Sequence, residues 1–181
     1  EAIAAGVFMC PKDRASNAVV SEFDISNNLA LPFLKKHSRF SFLRSKSLSQ
    51  NAKNSISELG IVCQSEVDSV TTLSGGNQQK VMVGRWLSED SSVLLLDEPF
   101  QGVDIKARRD IGIQIRSTSS QRATLIFVAE LDEALEIADR VIVLHEGNLV
   151  GEYQNESKNI PKIVTSFSGS DYKQDSSNYG T

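Results

Sequence analysis

Several features that would assign a chain to a common functional class are scarce in this sequence. It has two cysteines, Cys10 and Cys63, and two histidines in 181 residues. Neither cysteine has the spacing of a metal or redox motif. Such cysteines are typical of free thiols in a reducing compartment, with a single disulfide as the minority alternative. We therefore expect no cysteine-based metal centre.

Long apolar runs and an excess of positive charge are also missing. No apolar stretch approaches the ~20 residues that a membrane-spanning helix needs, and no signal-like leader opens the chain. Asp and Glu (23) outnumber Lys and Arg (19), which gives a net charge of −4. This balance gives no reason to expect a nucleic-acid partner. A hydrophobic content of 40% is ordinary for a globular domain.

Residues 35–53 contain no acidic residue, although six Lys and Arg residues are interleaved there with Phe40, Phe42 and Leu43. We favour a solvated, mobile loop between helices. The alternative is a surface that faces anionic lipid headgroups or a membrane partner, and it stays open at this point. After this stretch we predict a helix over Ala52–Leu59 that ends at Gly60.

The rest of the chain alternates between short apolar runs and amphipathic segments. Apolar runs predict strands at residues 7–10, 93–99, 123–128 and 141–144, and helices are predicted after residues 24, 76, 104 and 131. Such alternation indicates an α/β fold with a mostly parallel sheet covered by helices. We predict a domain over 1–153 and a polar tail over 154–181, with a helix near Ile160–Ser166 and disorder over 171–181.

One stretch, residues 73–80, reads Leu-Ser-Gly-Gly-Asn-Gln-Gln-Lys. Two glycines let the backbone approach a ligand closely, and the N-terminus of the helix that follows presents N–H groups. This arrangement suits an anion, most often phosphate. A plain glycine turn before a helix would explain the glycines but not the polar residues that follow them.

A second motif follows about fifteen residues later. Residues 93–99 (Val-Leu-Leu-Leu-Asp-Glu-Pro) predict a buried strand that delivers Asp97 and Glu98 to its C-terminal end. Two such acids suit a magnesium ion and an attacking water. Asp104 then follows a glycine turn and is a good N-cap for a helix to about Ser117.

These motifs, in this order and spacing, resemble the signature loop, Walker B strand and D-loop of ATP-binding-cassette (ABC) ATPases. Together with residues 138–147 (Ala-Asp-Arg-Val-Ile-Val-Leu-His-Glu-Gly) they are closest to the ATP-binding subunits of ribose/galactose-type sugar importers. The resemblance covers residues 1–153 and points to the C-terminal part of the second cassette. It implies an incomplete P-loop NTPase-like fold with a helical signature subdomain.

The resemblance also implies roles for individual residues. Glu98 would be the catalytic residue that polarises water, and Asp97 would hold Mg²⁺. The residues implied in binding ATP, whose phosphates belong to the opposite cassette, are Ser74, Gly75, Gly76, Gln78 and Asp104.

Three parts of the family pattern are absent or altered. No Gly-x-x-x-x-Gly-Lys-Ser/Thr motif occurs, so no loop of this sequence can cradle the β- and γ-phosphates. Lys12 replaces a glutamine, and Ala129 stands where the family has a histidine. Because alanine cannot hydrogen-bond a phosphate, these changes are typical of a degenerate cassette. The chain begins at Glu1 rather than Met, and we expect a C-terminal fragment.

The implied partners are a second ABC cassette (in the same longer chain or a dimer mate), integral membrane permease domains and, indirectly, a periplasmic sugar-binding protein. The implied location is peripheral, on the cytoplasmic face of the inner membrane. We expect ATP hydrolysis in the full-length assembly and none by this chain alone. Alternatives are a non-hydrolytic pseudo-cassette with a docking or regulatory role, and a soluble cassette ATPase of DNA repair or translation.

Overall fold

The structure is a computed structural model that describes residues 1–13, 19–40 and 42–168. It divides into two compact units, Glu1–Phe127 and Val128–Thr181. The domain boundary predicted after residue 153 stays a prediction. Ile163 is completely buried and packs with Val141 and Val143 in the second unit. The segment predicted to be disordered, 171–181, lies outside the described residues.

The described residues form seven strands and six α-helices. The strands are β1 (Val7–Cys10), β2 (Ser38–Arg39), β3 (Phe42–Leu43), β4 (Val93–Asp97), β5 (Ala123–Phe127), β6 (Arg140–His145) and β7 (Asn148–Gln154). The helices are α1 (Ile25–Ala30), α2 (Ser45–Leu59), α3 (Gly75–Leu87), α4 (Ile105–Ser117), α5 (Leu131–Ile137) and α6 (Ile160–Phe167).

A parallel sheet of order β1-β4-β5 is the centre of the first unit and confirms the predicted α/β class. Phe8 and Cys10 pair in register with Leu94 and Leu96, and all four are buried on one face. On the other face, large side chains stay exposed: Met9 (51%), Leu125 (44%) and Phe127 (45%). One face of this sheet is therefore packed and the other is open.

Residues 35–53 are not the loop that the sequence predicted. β2 and β3 pair as an antiparallel hairpin, and α2 begins at Ser45 instead of Ala52. The residue before the helix, Arg44, makes no side-chain capping bond, so the helix start carries no sequence signal. The predicted end of the helix is confirmed, since Gly60 adopts the left-handed conformation there.

The three helices α1, α2 and α3 form a second apolar layer. Its core contains Ile25, Leu29, Ala52, Leu59, Val70 and Val81. Beneath it, Asn28 accepts from Arg85 Nη2 at 3.1 Å, and the Arg85 Nε donates to the Asn28 carbonyl at 2.6 Å. Burial lowers the pKa of this arginine. Both side chains are buried and bonded, and these bonds offset part of the cost of placing polar groups in the interior.

The two cysteines are both free, as predicted. Cys10 is completely buried in β1. Burial raises the pKa of the Cys10 thiol to about 12, so this residue is an inert core side chain.

Candidate functional site

The glycine-rich stretch begins α3 as predicted. Ser74 is the N-cap, and its Oγ accepts from the Asn77 backbone N at 3.4 Å and from Asn77 Nδ2 at 3.0 Å. Ser74 and Gly75 are exposed. A serine hydroxyl therefore lies at an accessible helix start, where the backbone N–H groups and the helix dipole favour an anion.

The start of α3 lies against the start of α4. A Cβ atom added at Gly76 would be 3.4 Å from the Cβ of Ala107 in the first turn of α4. Asp104 caps that turn by accepting from the Ala107 backbone N at 2.7 Å. Two predicted site segments, the Ser74–Gly76 turn and Asp104, are thus brought to neighbouring helix starts.

The two acids follow the central strand. Asp97 ends β4 and pairs in register with Phe127 of β5. Glu98 has a φ of 49°, in the left-handed region that glutamate rarely adopts. Its backbone N donates to the Phe127 carbonyl at 2.9 Å, and its carbonyl accepts from Gln101 N at 3.1 Å. These two bonds hold a conformation that costs on the order of 1 kcal/mol, a feature concentrated at functional sites.

A buried glutamine joins the two motifs. Gln79 Nε2 donates to the Pro99 carbonyl at 2.8 Å, and Gln79 is only 1% exposed. Its Oε1 has no hydrogen-bond partner among the described residues. The bond ties the second turn of α3 to the loop directly after Glu98. Of the two adjacent glutamines, the sequence analysis assigned only Gln78 to the site. Gln79 was missed because nothing local relates residue 79 to residue 99.

Lys80 makes a second link that the sequence did not predict. Its Nζ lies 2.7 Å from Asp110 Oδ2 of α4 and 3.0 Å from the Gly60 carbonyl. The side chain of Lys80 is 5% exposed, against 30% for Asp110. A cation this buried needs both partners, so Lys80 holds α3 on α4 and is not available to a phosphate.

A groove of about 660 Å³ lies beside α3. Its lining is Lys12, Asp13, Val19, Ser21, Thr71, Gln78 and Gln101. The groove therefore brings Lys12 close to Gln78, a predicted ATP-binding residue, although the other predicted site residues do not line it. A hydrogen bond orients the Gln78 side chain, since its Nε2 donates to the Leu73 carbonyl at 3.1 Å.

The donor set for a metal ion is small. Within the described residues no group of three or more His, Cys, Asp and Glu side chains could hold a metal. Mg²⁺ commonly uses one or two carboxylates together with substrate phosphates and water. Asp97, at the end of a parallel strand, fits that kind of shared site and not a metal centre built by protein ligands alone.

The family is decided by sequence comparison. A family model described as ABC transporter matches residues 6–101, which is more than half of the chain. The chain belongs to the ABC transporter ATP-binding family. The resemblance of its motifs is therefore confirmed at this level.

Known ABC import proteins match most of the chain. It is 35% identical over 167 residues to the arabinose import ATP-binding protein AraG of Pectobacterium atrosepticum, covering 91% of the chain and 33% of that protein. It is 35% identical over 170 residues to the ribose import ATP-binding protein RbsA 2 of Rubrobacter xylanophilus, covering 93% and 33%. The chain thus spans about a third of the length of these relatives.

Solved ABC structures share the fold. A dimeric ATP-binding cassette in a post-hydrolysis state with ADP and Pi has a TM-score of 0.68 at 17% identity, covering 83% of the chain and 63% of that structure. A bacterial Atm1-family ABC exporter with ATP bound also has a TM-score of 0.68, at 23% identity, covering 94% and 28%. At these identities the likeness concerns the fold alone, and it confirms an α/β ABC cassette.

Proposed function

We propose that this ABC chain supplies the signature half of a composite ATP site in a subunit that energises carbohydrate import. The observation that carries the proposal is the start of α3. Ser74 caps this helix and Gly75 begins it, both are exposed, and Gln79 bonds the helix to the loop after Glu98. A helix start with an adjacent hydroxyl suits phosphate oxygens. The phosphate belongs to ATP held by a second cassette.

The two acids have distinct tasks in this proposal. Mg²⁺, when bound, would neutralise the charge of the phosphates. Asp97, at the C-terminal end of β4, would hold that ion. Glu98 would polarise the attacking water, and its left-handed backbone, held by Phe127 and Gln101, fixes where its side chain leaves the strand. Asp104 caps α4 and contacts the second cassette.

The open face of the parallel sheet supports a larger cassette. Met9, Leu125 and Phe127 lie on it and are each 44% to 51% exposed. Parallel sheets of α/β proteins are normally covered on both faces. We propose that a further part of the cassette, carrying the phosphate loop, covers these side chains.

The names of AraG and RbsA 2, an arabinose and a ribose import protein, support carbohydrate as the class of cargo. No helix among the described residues is long and apolar enough to cross a membrane. We propose that the chain acts at the cytoplasmic face of the inner membrane against permease domains, with a periplasmic sugar-binding protein contributing indirectly.

Glu98→Gln in the full-length importer tests the catalytic role. We expect ATP hydrolysis to fall by about 10²- to 10⁴-fold, as for removal of a general base, while nucleotide binding persists. Phosphate release and sugar uptake in reconstituted vesicles are the measurements. The matched control is Glu146→Gln, which alters an exposed glutamate with nearly the same φ, 48°, and should change neither.

A non-hydrolytic pseudo-cassette is the second candidate, and Lys12 and Ala129 favour it. The Ala129 methyl group cannot bond a phosphate. In this case Glu98→Gln would leave hydrolysis and transport unchanged, and the chain would act as a docking module. That outcome would refute the catalytic assignment of Glu98.

A further inference from the structure

The hairpin of β2 and β3 carries two unusually exposed phenylalanines. We call residues 38–40, 42 and 43 the phenylalanine hairpin. Phe40 is 84% exposed, Phe42 79% and Leu43 49%. The two phenylalanines are more exposed than any other large hydrophobic side chain of the described part of the chain. Isolated apolar side chains are common on surfaces, but a cluster of them indicates a contact site.

The base of this hairpin is firmly held. The Arg44 backbone N donates to the His37 carbonyl at 2.8 Å. The His37 side chain is buried, 4% exposed, with its Nδ1 2.9 Å from the hydroxyl oxygen of Ser47 in α2. The exposed side chains therefore follow a segment that is hydrogen-bonded to the start of α2.

Positively charged residues flank the phenylalanine hairpin, although the neighbouring Lys36 is paired with Glu89. Lys35, Arg39, Arg44 and Lys46 are exposed, and the sequence has no acidic residue between Asp24 and Glu58. The Arg39 guanidinium carbon lies 5.3 Å from the Phe40 ring centroid, a cation–π distance. This local charge is opposite in sign to the net charge of the chain, −4.

We propose that the phenylalanine hairpin inserts into the headgroup region of an anionic bilayer. The exposed aromatic side chains would enter the interface while the flanking cations meet lipid phosphates. A bilayer needs only a few apolar side chains with cations beside them. The inference is independent of the proposed nucleotide chemistry.

Vesicle co-sedimentation of the purified protein tests this proposal. We expect binding to vesicles of equimolar phosphatidylglycerol and phosphatidylcholine, weakened by salt, and little binding to pure phosphatidylcholine. Phe40→Ser/Phe42→Ser should weaken binding at least about tenfold. Arg39→Gln/Arg44→Gln should weaken it about fivefold for each cation removed.

Matched controls alter similar residues elsewhere. Val62→Ser/Val67→Ser removes two side chains that are 73% and 66% exposed, and Lys106→Gln/Lys162→Gln removes two exposed cations. Both should bind vesicles like the unaltered protein. In addition, the emission of a Phe42→Trp variant should shift to the blue on anionic vesicles, which reports insertion in a folded, binding-competent protein.

Three outcomes with protein-free vesicles would overturn the proposal. They are equal binding to neutral and anionic vesicles, equal losses in the hairpin and control variants, and no blue shift of the Phe42→Trp variant. Vesicle binding that requires permease protein in the membrane would also overturn it, in favour of a protein contact.

Discussion

Glu66 is a carboxylate whose hydrogen bonds change its acidity. Its Oε1 accepts from Ser49 Oγ at 2.6 Å, and its Oε2 accepts from Ser65 Oγ at 3.1 Å. The Ser49 bond is the main cause that lowers the pKa of Glu66 from 4.5 to about 2. The bond joins α2 to the segment before α3, so the charge of Glu66 contributes to folding.

This shift predicts a pH dependence of stability. Because the folded-state pKa is depressed, the unfolded state takes up the proton first as the pH falls. The contribution is complete above pH ~4.5 and is lost as the pH falls to about 2. In urea unfolding, the free energy of unfolding of the unaltered protein should fall more steeply across this pH range than that of Ser49→Ala. In this variant the pKa of Glu66 moves toward 4.5.

Ser57→Ala, at an exposed position of the same helix, is the control and should follow the unaltered protein. Identical pH profiles for Ser49→Ala and the unaltered protein would contradict the role of this hydrogen bond. NMR titration of the Glu66 carboxyl provides a direct second measurement.

At the scale of elements, α3 is the centre of the site, since it begins at the signature turn and packs on both other helices of its layer. The packing depends on Gly84. A Cβ atom there would overlap Cδ1 of Leu59 and lie 3.4 Å from Cδ2 of Leu29. Leu59 and Leu29 are both buried, so neither can move aside freely.

Gly84→Ala therefore sets two effects against each other. Alanine improves helix propensity by about 1 kcal/mol, but overpacking costs about 1–3 kcal/mol. We expect a net loss of about 1 kcal/mol in the free energy of unfolding, measured by urea denaturation. Shortening Leu59 provides room, so Leu59→Ala should cost less in the Gly84→Ala background than alone. Simple additivity would contradict the packing explanation.

At the scale of the whole molecule, we propose that the chain supplies one half of a composite ATP site. It carries Ser74 and Glu98, but its sequence contains no phosphate-loop motif. We expect the chain of residues 1–181 to show no appreciable ATP binding by calorimetry and no magnesium-dependent phosphate release. The full-length protein is the positive control. Robust turnover by residues 1–181 alone would refute the composite-site proposal.

Local signals were sufficient for much of the fold. Asp24 and Asp104 each predicted a helix start, and each side chain makes the capping bond. The apolar runs predicted the three strands of the parallel sheet. These features depend on neighbours within four residues, which is why the sequence alone reveals them.

Hydrogen bonds between residues far apart in the chain could not be predicted from the sequence. The bonds of Gln79 to Pro99, of Lys80 to Asp110 and of Arg85 to Asn28 join residues 20 to 57 positions apart. The start of α2 and the β2–β3 pairing likewise carry no local cap or turn signal. Each depends on which surfaces meet in the folded chain.

The sequence by itself thus determined the family motifs, the strands of the parallel sheet, and the acids at the end of the central strand. Only the tertiary structure decided that Gln79 holds α3 to the loop after Glu98 and that Lys80 is held in an ion pair. It also decided that Phe40 and Phe42 are exposed beside cations. The reason is physical. Caps and periodicity are local interactions, whereas burial and polar pairing are properties of surfaces brought together by folding.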